Sequence, residues 1–168
     1  LPIIRANRDE GSEKPFETVV TFDGISIGTD GNETAGVQQK IAALLDSGTS
    51  STVLPVELFT GLLESLGGES EDNYPGIKLP KCLKKKENQQ ITFQFSGVNI
   101  TFDMKNIINK HKVKCYLDVV PGMSNTAIIG ANVLRNIYNV FDLEDYQIAI
   151  AKATTTFNAS DIEEIIDE

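Results

Sequence analysis

Asp46, Ser47, Gly48 and Thr49 place a carboxylate, two hydroxyls and a glycine in four consecutive positions, directly after the apolar run Ile41-Ala42-Ala43-Leu44-Leu45. Those residue types suit acid–base work on a peptide bond. Two carboxylates about 3 Å apart cannot both ionise. One stays protonated and polarises a carbonyl while the other takes a proton from water. A carboxylate in that role needs a rigid loop, a close backbone approach, which Gly48 permits, and hydroxyl donors. Thr49 is placed to hydrogen-bond the Asp46 carboxylate, and Ser47 can donate across to a facing loop. The same residues are also the vocabulary of a surface turn, but the apolar lead-in belongs to a strand entering a core. A dyad needs a second carboxylate, and a lone Asp46 is expected to be inert, its pKa shifted only when an opposing aspartate shares its proton.

Strands must hold this loop on both sides. Residues 18–27 mix β-branched and aromatic side chains, with Val20, Phe22 and Ile25 at inward positions, and predict a strand. Residues 28–39 read as a polar, glycine-rich turn, and 40–45 as the return strand into Asp46. Residues 55–66 space Val56, Phe59, Leu62, Leu63 and Leu66 as the core-facing stripe of a helix, with Pro55 at its start and Gly67-Gly68 at its stop. The polar stretch 69–80, with two prolines, reads as a loop. Residues 91–95 and 98–102 alternate about Ser96-Gly97 as a hairpin, with Phe93, Phe95 and Phe102 in the core. A short helix over 104–109, a strand over 113–120, a turn at Pro121-Gly122, a strand over 126–130 and a short helix over 132–138 follow. Residues 139–143 and 147–152 flank Glu144-Asp145-Tyr146 as a last hairpin. Residues 1–153 thus form one mainly β domain with short helices, and 154–168, Thr-rich and then acidic, are expected to form a flexible tail.

Composition narrows the function. The 168 residues are 40% hydrophobic and 23% charged, ordinary for one globular domain. The net charge of −9 argues against nucleic acid as a partner, and no apolar run is long enough to span a membrane. The opening Leu1-Pro2-Ile3-Ile4 is too short for a leader and reads as the interior of a longer or processed chain. Lys81, Lys84, Lys85, Lys86, Lys110, Lys112 and Lys114 read as a solvated face, with a docking patch for an acidic partner as the alternative. His111, the single histidine, and two cysteines are too few to make a metal set, so His111 reads as a plain loop residue and neither metal nor cofactor is expected. Cys82 and Cys115 are compatible with one disulfide, worth roughly 3–4 kcal/mol by loop entropy, or with two buried thiols. Asn32, Asn99 and Asn158 each begin an Asn-X-Ser/Thr triplet and are candidate glycosylation sites, a weak pointer to secretion.

Several stretches in order resemble the C-terminal lobe of pepsin-like aspartic proteases, in particular the fungal branch of yapsins and candidapepsins. LPII is similar to the strand entering that lobe, and IAALLDSGTSSTVLP to its catalytic loop and the helix that follows. TAIIGANVLRNIYNVFDLEDYQIAIAKA is similar to the closing segment, in which Ile128-Ile129-Gly130 threads beside the loop in a ψ-shaped motif. SDIEEIIDE is nearest to yapsins, whose chains continue into a Ser/Thr-rich region and a lipid anchor. The resemblance covers nearly the whole chain and implies one mainly β lobe of a bilobal acid protease, with Cys82 paired to Cys115. It assigns Asp46 as the second aspartate of the dyad and Ser47 as a hydroxyl bridging the lobes. Gly48 would present its amide to the dyad and its carbonyl to substrate, Thr49 would hydrogen-bond Asp46, and Ser50 would line the non-prime side of the cleft.

The implied protein is a secreted or cell-surface aspartic endopeptidase acting on protein or peptide substrates, with a preference for cleavage after Lys or Arg. Its partner is an N-terminal lobe carrying the first aspartate and a flap tyrosine, and membrane attachment is only through a lipid anchor outside this chain. Ala131 departs from the pattern, standing where the family usually has aspartate, and members with alanine there work nearer neutral pH. A less acidic optimum is therefore expected. Two other readings are a homodimer in which each copy gives Asp46, as in retroviral proteases, and a binding module without activity. The insert around 69–90, the disulfide and the closing hairpin belong to the bilobal enzymes.

Overall fold

β1 (Val19–Thr29) and β2 (Asn32–Leu45) are the longest strands among the described residues and pair antiparallel along most of their length. In the computed structural model, which describes residues 1–3, 18–29, 31–83 and 88–154, they are followed by β3 (Thr52–Pro55), α1 (Val56–Ser65), β4 (Glu69–Glu71), β5 (Tyr74–Lys78), β6 (Gln89–Phe95) and β7 (Val98–Asp103). A 3-10 turn (Met104–Ile107) leads to β8 (Ile108–His111), β9 (Lys114–Leu117), β10 (Val119–Gly122), β11 (Ala127–Ile129), α2 (Ala131–Leu134), β12 (Ile137–Asp142) and β13 (Gln147–Lys152). A seven-stranded sheet runs in the order β10-β3-β11-β2-β1-β6-β7, and a four-stranded sheet in the order β4-β5-β9-β8. β12 and β13 form a separate ribbon, which Pro2 extends through a bridge to Gln147. The mainly β architecture agrees with the expectation from sequence.

The core lies on one face of the large sheet. A bulge at Asp23, between the paired residues Phe22 and Gly24, switches the parity of β1. Val20 and Phe22 before it, and Ile25 and Ile27 after it, therefore all point inward and are buried. Phe22 packs on Phe93 and Phe95 with ring centroids 6.2 and 5.7 Å apart, and Phe93 stacks on Phe102 at 5.8 Å. Each such fully buried side chain stabilises the fold by roughly 1.5–3 kcal/mol. α1 adds Leu58, Phe59 and Leu62 to the same core. Val56, expected there, is instead 53% exposed; it sits in the first turn and, with Met123, borders an open cavity of about 450 Å³.

Where the structure differs from the pattern reading, polar contacts replace the apolar periodicity that reading depends on. Most of the stretch expected as a turn, 28–39, is strand, because the β1–β2 ladder continues outward to the pair Thr29–Asn32 with exposed side chains. The stretch expected as a loop holds β4 and β5. Lys78 bonds Glu69 at 2.6 Å and lies 3.1 Å from Glu71. Lys114 of β9 reaches Glu71 at 2.7 Å, and the Tyr116 hydroxyl donates to it at 2.6 Å. Tyr74 stacks on Tyr116 at 4.0 Å and faces His111, which lies on β8 and not in a loop, at 5.6 Å.

The strand expected over 113–120 is two strands. Lys112 (φ 54°) and Val113 make the β8–β9 turn, and Asp118, whose amide donates to Ile107 O at 2.8 Å, separates β9 from β10. Pro121 and Gly122 belong to β10, an edge position where a missing N–H is tolerated. The 104–109 helix is a four-residue 3-10 turn capped by Asp103, and the 132–138 helix stops at Leu134. Cys82 and Cys115 form the disulfide, with 5.2 Å between their Cα atoms. Lys84, Lys85, Lys86, Asn158 and residues 155–168, the expected tail included, lie outside the described residues.

The Glu71 cluster makes the small sheet pH-dependent. Lys114 foremost, then the Tyr116 hydroxyl and Lys78, hold the Glu71 carboxyl down to about 2, against an ordinary value of 4.5. A carboxylate lowered by folding stabilises the fold above its unfolded value and loses that contribution as the pH falls toward the folded one. Glu71→Gln is expected to lower the urea midpoint relative to wild type at pH 6, with the two midpoints converging as the pH approaches 2. An equal gap at both pH values would contradict a charge-based role.

Candidate active site

β2 carries the chain to Leu45 beside β11 in parallel register, Ala43 against Ala127 and Leu45 against Ile129. β3 returns on the other flank of β11, Val53 against Ile128. The loop at 46–51 therefore crosses the end of β11, and the chain leaving β11 passes beneath it. Asp46 N donates to Ile129 O at 3.1 Å, Ala131 N to Thr49 O at 2.7 Å and Asn132 N to Ser50 O at 3.0 Å. The first amides of a helix have no partner within it; those of α2 are satisfied by the loop carbonyls. This is the threading that the ψ-shaped motif implies.

Gly130 is required at the crossing by space, since its φ of −83° suits any residue. A Cβ there would lie 2.3 Å from Ser51 O and 2.8 Å from Thr49 O.

Within the loop both carboxylate oxygens of Asp46 are held. Oδ1 accepts from the Gly48 amide at 2.8 Å, and Oδ2 from the Thr49 hydroxyl at 2.6 Å. These charge-assisted bonds favour the ionised form. The Thr49 hydroxyl foremost, then the Gly48 amide, pull the Asp46 pKa below the ordinary carboxylate range, and partial desolvation opposes them only in part. The shift exists in the single chain, which corrects the expectation that an opposing carboxylate must create it. Asp46 is half-buried, while Ser47, Gly48 and Ser50 are exposed. The structure thus brings Asp46, Gly48 and Thr49 into one hydrogen-bonded unit and presents Ser47 and Ser50 beside it. Among the described residues no group of three or more His, Cys, Asp or Glu side chains is gathered as a metal site.

The eukaryotic aspartyl protease family matches residues 13–153. This chain belongs to that family. It is 32% identical over 155 residues to the aspartic proteinase yapsin-3 of Saccharomyces cerevisiae, covering 91% of this chain and 30% of that protein. It is 32% identical over 174 residues to the aspartic proteinase MKC7 of the same yeast, covering 99% of this chain and 28% of that protein. The probable aspartic-type endopeptidase opsB of Aspergillus oryzae is 27% identical over 155 residues, covering 86% and 31%. The chain therefore spans about 30% of the length of these protease relatives.

Beyond the loop, this member of the family has a buried polar network that sequence pattern does not signal. Asn132 Oδ1 accepts from the Thr52 hydroxyl at 3.0 Å and from Val133 N at 2.9 Å, and Asn132 Nδ2 donates to Asp118 O at 2.6 Å. Thr52 and Asn132 are the buried polar residues of the described chain. The sequence signal was slight: one amide in the otherwise apolar run around Ile128–Leu134. The network ties the far end of the loop to α2 and to the β9–β10 junction. On the near side, Leu45, Ser47, Ala131, Leu134, Arg135, Asn139 and Phe141 line a cavity of about 390 Å³. Asn139 Oδ1, at that cavity, is buried with no hydrogen-bond partner among the described residues.

Asn132→Leu is expected to cost about 1–3 kcal/mol by leaving buried partners unsatisfied. Adding Thr52→Val should cost less than its single-mutant value, because the orphaned hydroxyl is then removed; urea unfolding of the four chains measures this. Gly130→Ala should also destabilise, by about 1–3 kcal/mol, because the added methyl must displace the loop backbone.

Proposed function

We propose that this chain is the part of an aspartic endopeptidase that supplies the second carboxylate of a dyad, the first coming from an N-terminal lobe of the same protein. The observation that carries the reading is Asp46, a half-buried carboxylate with both oxygens fixed by Gly48 and Thr49. The surface beside it supports a missing lobe. Phe141, 45% exposed, lines with Ser47 a cavity that also contains the unpaired acceptor of Asn139. A covering lobe would bury Phe141 and donate to that acceptor.

In the assembled site a water lies between Asp46 and the opposing aspartate. The two carboxylates share one proton, since both cannot ionise at that separation. The ionised member takes a proton from the water as its oxygen attacks the scissile carbonyl. The protonated member gives its proton to the carbonyl oxygen, so the intermediate is a non-covalent gem-diol. Gly48 and Ser50 would hold the substrate backbone, and Ser47 would bridge to the partner lobe.

Secretion or cell-surface delivery fits the Cys82–Cys115 disulfide and the exposed acceptor residues Asn32 and Asn99. A lipid anchor would lie outside this chain. The yapsin likeness suggests cleavage after Lys or Arg, and the net charge of −9 would attract a basic peptide.

In the full-length protein Asp46→Asn is expected to reduce kcat on the order of 10⁴-fold, as loss of a catalytic aspartate does elsewhere, with the fold intact by circular dichroism. Unchanged activity would remove Asp46 from the mechanism. Activity of this chain alone as a pepstatin-sensitive homodimer would replace the two-lobe reading with the symmetric one. With Ala131 in place of the usual aspartate, kcat should peak above about pH 4; a maximum below that, in the range of acidic dyads, would overturn the expectation drawn from Ala131.

A further inference from the structure

The outer face of the large sheet carries a polar trough that contains none of the Asp46 loop residues. Rows of paired residues cross four strands: Asn99, Gln94, Gly24 and Gln38 in one, and Thr101, Thr92, Ser26 and Gly36 in the next. Gln38 donates its side-chain amide to Gln94. The two strands flank β1, so this bond passes over Gly24, whose missing side chain leaves it room. It closes one end of the trough. Beyond it, Ser26, Gly28, Gln90, Thr92 and Thr101 line a cavity of about 210 Å³. Its floor is low because over residues 24–28 β1 contributes only Gly24, Ser26 and Gly28 to this face. Thr92 and Thr101 share a 2.8 Å hydrogen bond between hydroxyls, which leaves each with a further lone pair for a ligand.

Glu33 is the one charged residue of the lining, at the hairpin end. Asp103, paired with Gln90 and bonded to Lys105, borders the other side, and the hydroxyls and amides between these charges suit a neutral polyhydroxylated ligand. Asn99 supplies a tether for one. It begins the triplet Asn99-Ile100-Thr101, its side chain is exposed, and alternation on β7 places it on the same face as Thr101. Its amide has no hydrogen-bond partner among the described residues. The centre of the trough lies two strands away, ~10 Å at the usual strand spacing, within reach of the first few sugars of an attached oligosaccharide. Asn32, by contrast, stands at the hairpin end of the trough with exposed neighbours.

We propose that Asn99 carries an N-linked oligosaccharide whose first sugars lie in the trough between Thr101 and Ser26. In the attachment, Asn99 Nδ2 forms a bond to the anomeric carbon of a lipid-linked oligosaccharyl diphosphate. The carbon–oxygen bond to the diphosphate breaks, the lipid diphosphate leaves, and Nδ2 loses a proton. Seated sugars exchange hydrogen bonds with Ser26, Gln90 and Thr92 and cover the backbone of β1 where it has no side chains. The proposal rests on the secretory reading above, but not on proteolysis.

The test uses the full-length protein secreted from a eukaryotic host. Peptide mass spectrometry after enzymatic glycan release reads occupancy at each asparagine. In an Asn32→Gln, Asn158→Gln background, melting is then compared before and after release. Asn99 is expected to be occupied, and release is expected to lower the melting temperature by about 1–2 °C for a full-length protein several times this size. Ser26→Arg, which fills the trough, should abolish that difference while leaving Asn99 occupied. Because each chain is compared with its own released form, a loss of stability from Ser26→Arg itself does not confound the result. An occupied Asn32 with a bare Asn99 overturns this proposal alone, whereas no occupied asparagine in a secreted protein removes the glycoprotein reading as well. An occupied Asn99 with no melting shift, or with a shift that survives Ser26→Arg, overturns the seating in the trough.

Discussion

The insertion of β11 between β2 and β3 is the constraint on which the rest of this chain depends. A carboxylate on a free loop would sample many orientations, and fixing each residue costs about 1–2 kcal/mol of backbone entropy. Here the loop is fixed by bonds to chain far away in sequence: Asp46 N to Ile129 O, and Ala131 N and Asn132 N to the Thr49 and Ser50 carbonyls. The same bonds satisfy the amides that begin α2. Gly130 makes the crossing possible, since any side chain there would occupy the space of the loop backbone. Once the backbone is held, Gly48 N and Thr49 Oγ1 fall within hydrogen-bond distance of Asp46, and its charge state follows.

Around that crossing the chain divides its labour between two kinds of packing. The large sheet is held from inside by phenylalanines and aliphatic residues of β1, β6 and β7, and α1 covers part of it. The small sheet has few such residues and is held by ionic and hydroxyl contacts to Glu71. That carboxylate stays charged well into acid. The Cys82–Cys115 link fastens β9, in the same sheet, to the segment after β5. The buried Thr52–Asn132 pair is the exception in the interior. Its cost is offset because each of its polar groups finds a partner.

Much of this was legible in the residues. The Asp46 loop, the α1 helix, the Ser96-Gly97 hairpin and the closing hairpin all carry local signals, whether turn chemistry, helix punctuation or apolar alternation. β4 and β5 do not, because Glu69 and Glu71 pair with Lys78, and Glu71 also with Lys114 and the Tyr116 hydroxyl, and such polar residues carry no apolar alternation. β9 and β10 merged into one strand for the opposite reason. Both are apolar, and the break at Asp118 is set by its bond to Ile107 O, a partner that no window around Asp118 contains.

The sequence by itself determined the chemistry available: which carboxylate stands on a glycine-bearing loop, which hydroxyl sits three residues after it, and which two cysteines can pair. Those follow from residue type and short spacing, which the covalent chain carries directly. Only the tertiary structure decided that Ile129, Ala131 and Asn132 hold that loop from some eighty residues away, that Asp46 is already biased toward its ionised form in a single chain, and that Asn139 and Phe141 line a cavity beside Ser47. Hydrogen bonding and burial are properties of distance in space, and here the strand crossing, not the order of residues, sets those distances.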